Sequence, residues 1–544
     1  MEKKLVPILH NLQLKKTPVS SMRSLFTHIS RLVPLRVFLV MISITLVSQV
    51  YALADKPNVI VIYTDDQGYG DVSCLNPDSK FQTPNLDKLA REGMSFTDAH
   101  CSDTICTPSR YGLLTGRYSW RTKLKRGVFG AEKKCLIVDG RMTLASLFKA
   151  NGYHTAMVGK WHLGMDFPGE RDSRDWTQPV LDMPLDKGFD YFWGIPASLN
   201  YGVLAWFEGR HAEVPPTQYT QKKPNKIAIS DYRIKPPYEK ELRKPGTTNE
   251  LGVVKGQLEI APDFVDSQCL TRFTDKAIEW IEGKSNDARD GKPFFLYLPY
   301  TSPHKPVIPI EQFRGKSAAG AYGDFMMETD WHIGRILEAL DREKLSDDTI
   351  IVFTSDNGPE KTWKKRIELH DHRSNGIYRE GKRSIYEGGH RVPFFVRWPA
   401  KVAAGGEYEL PVCQTDLLAT FSEMLEQPLP DTAGEDSVSF YSALMGKGTD
   451  SIRAPMIHHS SGGDFAIRAG KWKLVMEGTK QKRALFDIES DPSEKKNVIG
   501  KHPDVTQRLV AHITNIIRNG RSTEGEPQPN DTGWWSNLVW MEKW

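Results

Sequence analysis

Four short apolar segments, each with polar residues a few positions after its end, constrain the fold of this chain more than any other feature. The segments are Asn58–Tyr63, Thr155–Val158, Phe294–Leu298 and Thr349–Phe353. Short runs that are apolar throughout, instead of alternating with polar residues, are typical of buried parallel strands. Helical patterns lie between them, for example over 144–150 and 325–340. Strands that alternate with helices predict an α/β fold with a large mixed, mostly parallel sheet sandwiched by helices.

The polar residues after these segments are the candidate site residues. In chain order they are Asp65 and Asp66, Lys160 and His162, His304, and Asp356 and Asn357. Ligands of α/β proteins bind beyond the carboxyl ends of parallel strands, so we expect one composite site there. An Asp-Asp pair alone is as often a turn or a helix cap. Three carboxylates and an amide oxygen at strand ends, however, suit Ca²⁺ or Mg²⁺ better than zinc.

The two ends of the chain differ from its middle. Residues 1–36 carry seven basic residues and one acidic residue, and an apolar run and Ala52-Leu53-Ala54 follow. This pattern predicts a signal peptide with a long leader over 1–54, so the protein is expected to be secreted or periplasmic; an uncleaved membrane anchor and a start at Met22 stay open. After a catalytic domain over 55–430, residues 431–544 show short strand-like segments and a helix near 505–518, which predict a small antiparallel sheet.

Charge limits the partners of the mature chain. Residues 1–54 carry a net charge of +6, so without them the formal net charge falls from +4 to −2. This value gives no reason to expect binding to nucleic acid, and attraction of an anionic substrate must come from a local cluster. The segment 166–262 is rich in proline and charge, and we expect it to form long loops over the site.

Cys106 lies just before a helix pattern that contains a proline in its first turn. An isolated cysteine of an exported protein is typically buried or disulfide-bonded. Here the string Cys-Thr-Pro-Ser-Arg over 106–110, followed by Leu-Leu-Thr-Gly-Arg over 113–117, resembles the type I sulfatases, the arylsulfatase-like members of the alkaline phosphatase superfamily. Segments 381–389, 468–474 and 485–492 resemble the same family, so the resemblance spans nearly the whole mature chain.

The resemblance implies a mechanism and a role for each candidate residue. In this family the cysteine is converted by a maturation enzyme to formylglycine, whose hydrated aldehyde attacks sulfate esters. The implied catalytic residues are Cys106, Arg110, Lys160, His162, His304, Lys382 and Asp356, and the implied ligands of Ca²⁺, with Mg²⁺ as second choice, are Asp65, Asp66, Cys106, Asp356 and Asn357. Arg110, Lys160 and Lys382 would hold the sulfate.

Three further residues have implied proton-transfer roles. Asp356 would accept the proton of the nucleophile, His304 would protonate the leaving alcohol, and His162 would assist regeneration of the aldehyde. If Cys106 is converted, five cysteines remain, and an odd number cannot all pair within one chain.

The predicted substrate is a sulfate monoester, most plausibly of a sulfated carbohydrate. The alternatives are a phosphate or phosphonate ester hydrolase on the same fold and a non-catalytic binder of sulfated glycans with unmodified Cys106. His458 and His459 are interpreted as packing or rim residues without a metal role. Four tryptophans, Trp534, Trp535, Trp540 and Trp544, are expected to fasten the C-terminal tail to the body of the protein.

Overall fold

The computed structural model describes residues 56–171, 173–221, 257–447, 453–478, 482–541 and 543. The predicted leader over 1–54 lies outside the described residues, so export stays a prediction. Within the described part, no helix combines the length and the apolar character that crossing a membrane requires. The proposed domain boundary at residue 430 also stays a prediction.

Strands and helices are interspersed along the described chain. The strands are β1 Asn58–Asp65, β2 Met94–Phe96, β3 Ala99–His100, β4 His154–Lys160, β5 Tyr191–Ile195, β6 Val203–Leu204, β7 Phe207–Glu208, β8 His211–Ala212, β9 Gln218–Gln221, β10 Gln257–Ile260, β11 Phe294–Pro303, β12 Thr349–Ser355, β13 Phe394–Arg397, β14 Gly406–Tyr408, β15 Val412–Cys413, β16 Met456–His459, β17 Phe465–Ala469, β18 Trp472–Glu477 and β19 Lys482–Asp487. The helices are α1 Pro84–Glu92, α2 Cys106–Thr115, α3 Leu144–Ala150, α4 Cys269–Arg289, α5 Gly320–Arg342, α6 Trp363–His370, α7 Glu387–His390, α8 Leu417–Met424, α9 Tyr441–Leu444 and α10 Pro503–Asn519.

The central sheet of the described residues has ten strands in the order β14-β2-β13-β12-β1-β11-β4-β5-β7-β8. Its middle five strands, β12, β1, β11, β4 and β5, are mutually parallel. β13 and β7 run antiparallel beside them. The sheet is therefore mixed and mostly parallel, and helices flank it, as the sequence predicts.

The four apolar segments form the centre of this sheet because both faces of each strand are covered. Every residue of β1, β11 and β12 is buried. The long helices α4 and α5 pack against each other and against β11. Since β12, β1, β11 and β4 are neighbours and parallel, their carboxyl ends meet at one edge. The polar residues that follow these strands are brought together there.

The small C-terminal sheet is confirmed, with four antiparallel strands in the order β16-β17-β18-β19 among the described residues. It shares a second hydrophobic core with Tyr118, Trp120 and α10. A buried ion pair also joins it to the rest of the protein, since Lys473 Nζ lies 2.9 Å from carboxylate oxygens of Glu387 and Glu494. Three tail tryptophans, at 534, 535 and 540, pack on this core as expected, and Trp544 lies outside the described residues.

The expectation that 166–262 forms only loops is wrong for its described part. Tyr191–Ile195 is a strand that pairs in parallel with β4, and short strands follow it. The aromatic run Tyr-Phe-Trp-Gly-Ile provides this strand within a region that is otherwise rich in proline and charge. Residues 222–256 lie outside the described residues.

Candidate active site

Cys106 is the first residue of α2, directly after the extended Ile105. All ten residues of this helix are buried, and Cys106 itself is 2% exposed. Burial raises the pKa of the Cys106 thiol above its usual value, although the nearby ammonium groups of Lys382 and Lys160 act in the opposite direction. The thiol is therefore mostly protonated, which disfavours a direct role as a thiolate nucleophile.

The carboxyl edge of the sheet places four oxygen-bearing side chains around this helix start. Asp65 ends β1, and Asp66 follows it in a left-handed conformation with φ 69°. The Asp66 amide donates to Oδ1 of Asp356 at 3.1 Å. Nδ2 of Asn357 donates to Oδ1 of Asp66 at 2.8 Å. These bonds fix the ends of β1 and β12 relative to each other.

Arg110 lies one helical turn after Cys106 and is completely buried. Its Nε and Nη2 donate to Oδ2 of Asp356 at 3.2 and 2.8 Å, and its Nη1 donates to the Lys160 carbonyl at 3.2 Å. Three of the guanidinium's N–H donors thus bind protein oxygens, two of these bonds going to Asp356. That Arg110 also holds the sulfate stays a prediction.

Lys160 and Lys382 direct their ammonium groups to different carboxylates of the cluster. Lys160 Nζ makes a very short contact with Oδ2 of Asp65, and Lys382 Nζ makes one with Oδ1 of Asp66. Both lysines are buried. Burial alone would lower the pKa of Lys382, but the carboxylates of Asp66 and Asp65 raise it above its usual value. Lys382 therefore stays charged.

The two predicted histidines differ in their surroundings. Nδ1 of His304 donates to the Lys305 carbonyl at 2.7 Å, so Nε2 faces the cluster, 3.8 Å from Oδ2 of Asp66. Burial lowers the pKa of His304 to about 4. Burial and the charge of Lys160 hold the pKa of His162 well below its usual range. His162 has no hydrogen-bond partner for either ring nitrogen among the described residues.

The carboxylates of Asp65 and Asp356 have opposite pKa shifts. Burial alone would raise the pKa of Asp65, but Lys160, with smaller effects from other cations, holds it well below its usual range. Burial and the charge of Asp65 raise the pKa of Asp356 to about 7, although Arg110 partly opposes this rise. Asp356 is therefore the carboxyl group of the pair that can exchange a proton near neutral pH.

The donor set fits a hard divalent cation. Three buried oxygen atoms, Oδ1 of Asp65, Oδ2 of Asp66 and Oδ1 of Asn357, have no hydrogen-bond partner in the part of the chain that the structure describes. Ligand atoms of Asp65, Cys106 and Asp356 lie within 4.8 Å of one another, and so do those of Asp65, Asp66 and His304. Buried carboxylate and amide oxygens without partners are the ligands that Ca²⁺ and Mg²⁺ prefer.

Sequence reasoning missed the charged residues at the border of the site. Arg383 follows Lys382, and its side chain is about a third exposed. Its guanidinium forms an ion pair with Glu360, which also lies 3.3 Å from Lys305 Nζ. Tyr201 contacts the His162 ring, with a centroid distance of 5.3 Å. Only the position of Arg383 next to the matched lysine could have indicated this border from the sequence.

All six cysteines are free, and five of them are buried.

His458 and His459 are buried and pack against other side chains. The His458 ring stacks on His390 with centroids 3.8 Å apart, and Nδ1 of His459 lies 2.8 Å from Oδ1 of Asp103.

Comparison with known proteins assigns the family. The family model described as "Sulfatase" matches residues 57–426, and one described as "N-sulphoglucosamine sulphohydrolase, C-terminal" matches residues 376–521. The chain therefore belongs to the sulfatase family. With its α/β fold and its buried carboxylate cluster, it is a sulfuric ester hydrolase of the arylsulfatase-like type.

Individual relatives agree with this assignment. N-acetylgalactosamine-6-O-sulfatase of Bacteroides thetaiotaomicron is 34% identical over 490 residues, which cover 85% of this chain and 93% of the relative. Human arylsulfatase A is 30% identical over 493 residues, which cover 84% of this chain and 87% of the relative. A solved structure concerned with the metabolism of multiple glycosaminoglycans by Bacteroides thetaiotaomicron superposes with a TM-score of 0.72 at 31% identity, covering 85% of this chain and 99% of that one.

Proposed function

We propose that this sulfatase removes sulfate from a sulfated carbohydrate with a formylglycine nucleophile made from Cys106. The observation that carries the proposal is the position of Cys106 at a helix start, within 4.8 Å of ligand atoms of Asp65 and Asp356. A buried, protonated thiol is a poor partner for a hard oxygen site. A formylglycine hydrate at this position would instead supply an oxygen nucleophile, which explains why a cysteine lies among carboxylates.

The proposed cation is Ca²⁺, held by Asp65, Asp66, Asp356, Asn357 and the modified residue 106. Such a cation would neutralise charge on the sulfate and lower the pKa of the attacking hydroxyl. The three oxygen atoms without partners support this ligand set, since each would otherwise stay buried and unsatisfied. Mg²⁺ is the second choice because it uses the same oxygen donors in a stricter geometry.

Charged side chains of the site would stabilise the reacting sulfate. The ammonium groups of Lys160 and Lys382 contact the carboxylates of Asp65 and Asp66, and we propose that they also bind sulfate oxygens as negative charge develops. Asp356, held by Arg110, is the proposed acceptor of the nucleophile's proton.

His304 is the proposed donor of a proton to the leaving alcohol. Because Nδ1 is bound to the Lys305 carbonyl, Nε2 is the nitrogen available to the substrate. The negative charge of a bound sulfate ester would raise the pKa of His304 from its low value and favour the protonated ring. His162, which is buried beside Lys160, is the proposed assistant in restoring the aldehyde.

The proposed substrate class is supported by the relatives and not by the geometry of the site. A relative that covers most of this chain is named for N-acetylgalactosamine-6-O-sulfate, and a similar structure is connected with glycosaminoglycans. We therefore propose a sulfated amino sugar of a glycosaminoglycan-like chain as the first candidate.

Mass spectrometry of the Cys106 peptide tests the nucleophile. After production with a maturation enzyme, we expect the mass of formylglycine at residue 106 and calcium in the purified protein. A Cys106→Ser variant, produced in the same way, is the matched control and should release little sulfate. Unmodified cysteine at residue 106 in a protein that fully retains sulfate release would refute the proposed nucleophile.

A further inference from the structure

A strongly basic loop lies beside the active site and has no part in the chemistry described above. This basic loop is the segment 123–134, with five basic residues and one acidic residue. Its four exposed cations are Lys123, Arg126, Lys133 and Lys134. The concentration of positive charge contrasts with the net charge of −2 that the chain carries without residues 1–54. The loop is therefore a local cluster of the kind that an anionic substrate requires.

Hydrogen bonds fasten the basic loop to the segments that carry the catalytic groups. The Phe129 amide donates to Oγ1 of Thr107, the neighbour of Cys106, at 3.2 Å. The same hydroxyl donates to the His162 carbonyl at 3.0 Å. The Met165 amide, three residues after His162, donates to the Ala131 carbonyl at 3.1 Å. The loop is thus built onto the rim of the site and does not lie on a remote surface.

The C-terminal part of the protein supports the other end of the basic loop. Lys125 Nζ lies 3.9 Å from the centre of the Trp535 ring, and it donates to the Trp120 carbonyl at 2.6 Å. Nη2 of Arg126 donates to Oδ1 of Asn537 at 2.9 Å. These contacts preorganise the loop, so it loses little conformational entropy when it binds a ligand.

The positive charge of the basic loop is only partly neutralised. Its single carboxylate, Glu132, is engaged by Arg174 and lies 3.8 Å from Arg171. The exposed pair Lys134–Asp166 is 3.8 Å long and contributes little. No ion pair with a carboxylate involves Lys123, Arg126 or Lys133 within the described ranges. The loop therefore keeps exposed cations that are available to an anionic ligand.

We infer that the basic loop binds anionic groups of a sulfated carbohydrate chain beyond the sugar whose sulfate is removed. This inference rests on the proposed function, because it extends the same substrate past the catalytic site. Clustered cations at the rim of a site raise the association rate and the affinity of polyanions, and salt weakens both effects. A small aryl sulfate has no such extension, so its hydrolysis does not depend on the loop.

A charge variant with a matched control tests the inference. The variant Lys123→Gln, Lys133→Gln, Lys134→Gln removes three exposed cations from the basic loop. The control Lys56→Gln, Lys292→Gln, Lys344→Gln removes three exposed lysines that precede β1, β11 and β12, at the opposite edge of the sheet. Both variants change the net charge equally, and neither touches a group placed in the catalytic site.

The readout is kcat/KM for a multiply sulfated oligosaccharide and for a monosulfated aryl ester, at low and high salt. We expect the loop variant to lose about tenfold in kcat/KM for the oligosaccharide at low salt, and less than about twofold for the aryl ester. The control should stay within about twofold for both substrates. The loss should also shrink at high salt because salt screens exposed charges.

The outcomes separate this inference from the proposed function. If wild-type enzyme releases sulfate from the aryl ester but from no sulfated carbohydrate, the proposed substrate is wrong. If it hydrolyses the oligosaccharide and the loop and control variants behave alike, only the role of the basic loop is overturned. Equal losses on both substrates in the loop variant would also overturn it, since they would indicate a disturbed catalytic site.

Discussion

Replacing Arg110 by methionine distinguishes between two roles for this residue, which are contact with the sulfate and support of Asp356. The structure favours support, because both Nε and Nη2 donate to one oxygen of Asp356 and Nη1 donates to the Lys160 carbonyl. Methionine keeps much of the side-chain volume and removes the charge and all three hydrogen bonds. The variant therefore removes the support of Asp356 with little change in packing volume.

The expected magnitudes follow from the burial of the pair. Breaking a buried ion pair typically costs about 3–5 kcal/mol of unfolding free energy. We expect a loss of about 3 kcal/mol here, because the pKa of Asp356 is already about 7 and protonation of the unpaired carboxylate relieves part of the penalty. Loss of orientation of Asp356 should cost about 3–4 kcal/mol in the transition state, which is a fall in kcat of about 10²–10³-fold.

The assay is steady-state hydrolysis of an aryl sulfate, with urea unfolding measured in parallel. If Arg110 supports Asp356, kcat falls by the amount above, and KM changes by less than about threefold. Arg110→Lys keeps the charge without the planar fork, so it should recover stability more than kcat. A rise in KM of about tenfold or more with kcat near wild type would refute the reasoning and return Arg110 to the sulfate.

Two further predictions test a proton donor and a buried carboxyl group. His304→Gln should lower kcat about 10²–10⁴-fold for a carbohydrate sulfate but about tenfold or less for a nitrophenyl sulfate, whose leaving group needs no proton; equal losses on both substrates would contradict the role. Glu328, buried in α5, has its pKa raised by burial to about 8. The folded protein then binds one more proton than the unfolded chain between about pH 5 and pH 8, so stability falls as pH rises through this window. Glu328→Gln mimics the protonated form and should flatten that fall in urea unfolding at pH 5 and pH 8, whereas parallel profiles for variant and wild type would count against the raised pKa.

The central strands of the large sheet could be predicted from sequence, because strands buried on both faces are apolar along their whole length. The segment Thr349–Phe353 extends by only two residues in the structure, to Ser355, and helix α3 has the predicted bounds Leu144–Ala150. Parallel strand ends then bring Asp65, His304 and Asp356 to one edge by topology alone. The meeting of these three residues therefore follows from the apolar patterns of the strands and from the shared carboxyl edge of a parallel sheet.

The partner of each charged group could not be predicted, because it depends on side-chain reach between distant segments. Arg110 and Asp356 are 246 residues apart, and nothing in their local sequences indicates that they pair. The strand Tyr191–Ile195 was missed for a related reason. Its pairing with β4 outweighs the turn-forming residues around it, and such tertiary effects are absent from a local pattern.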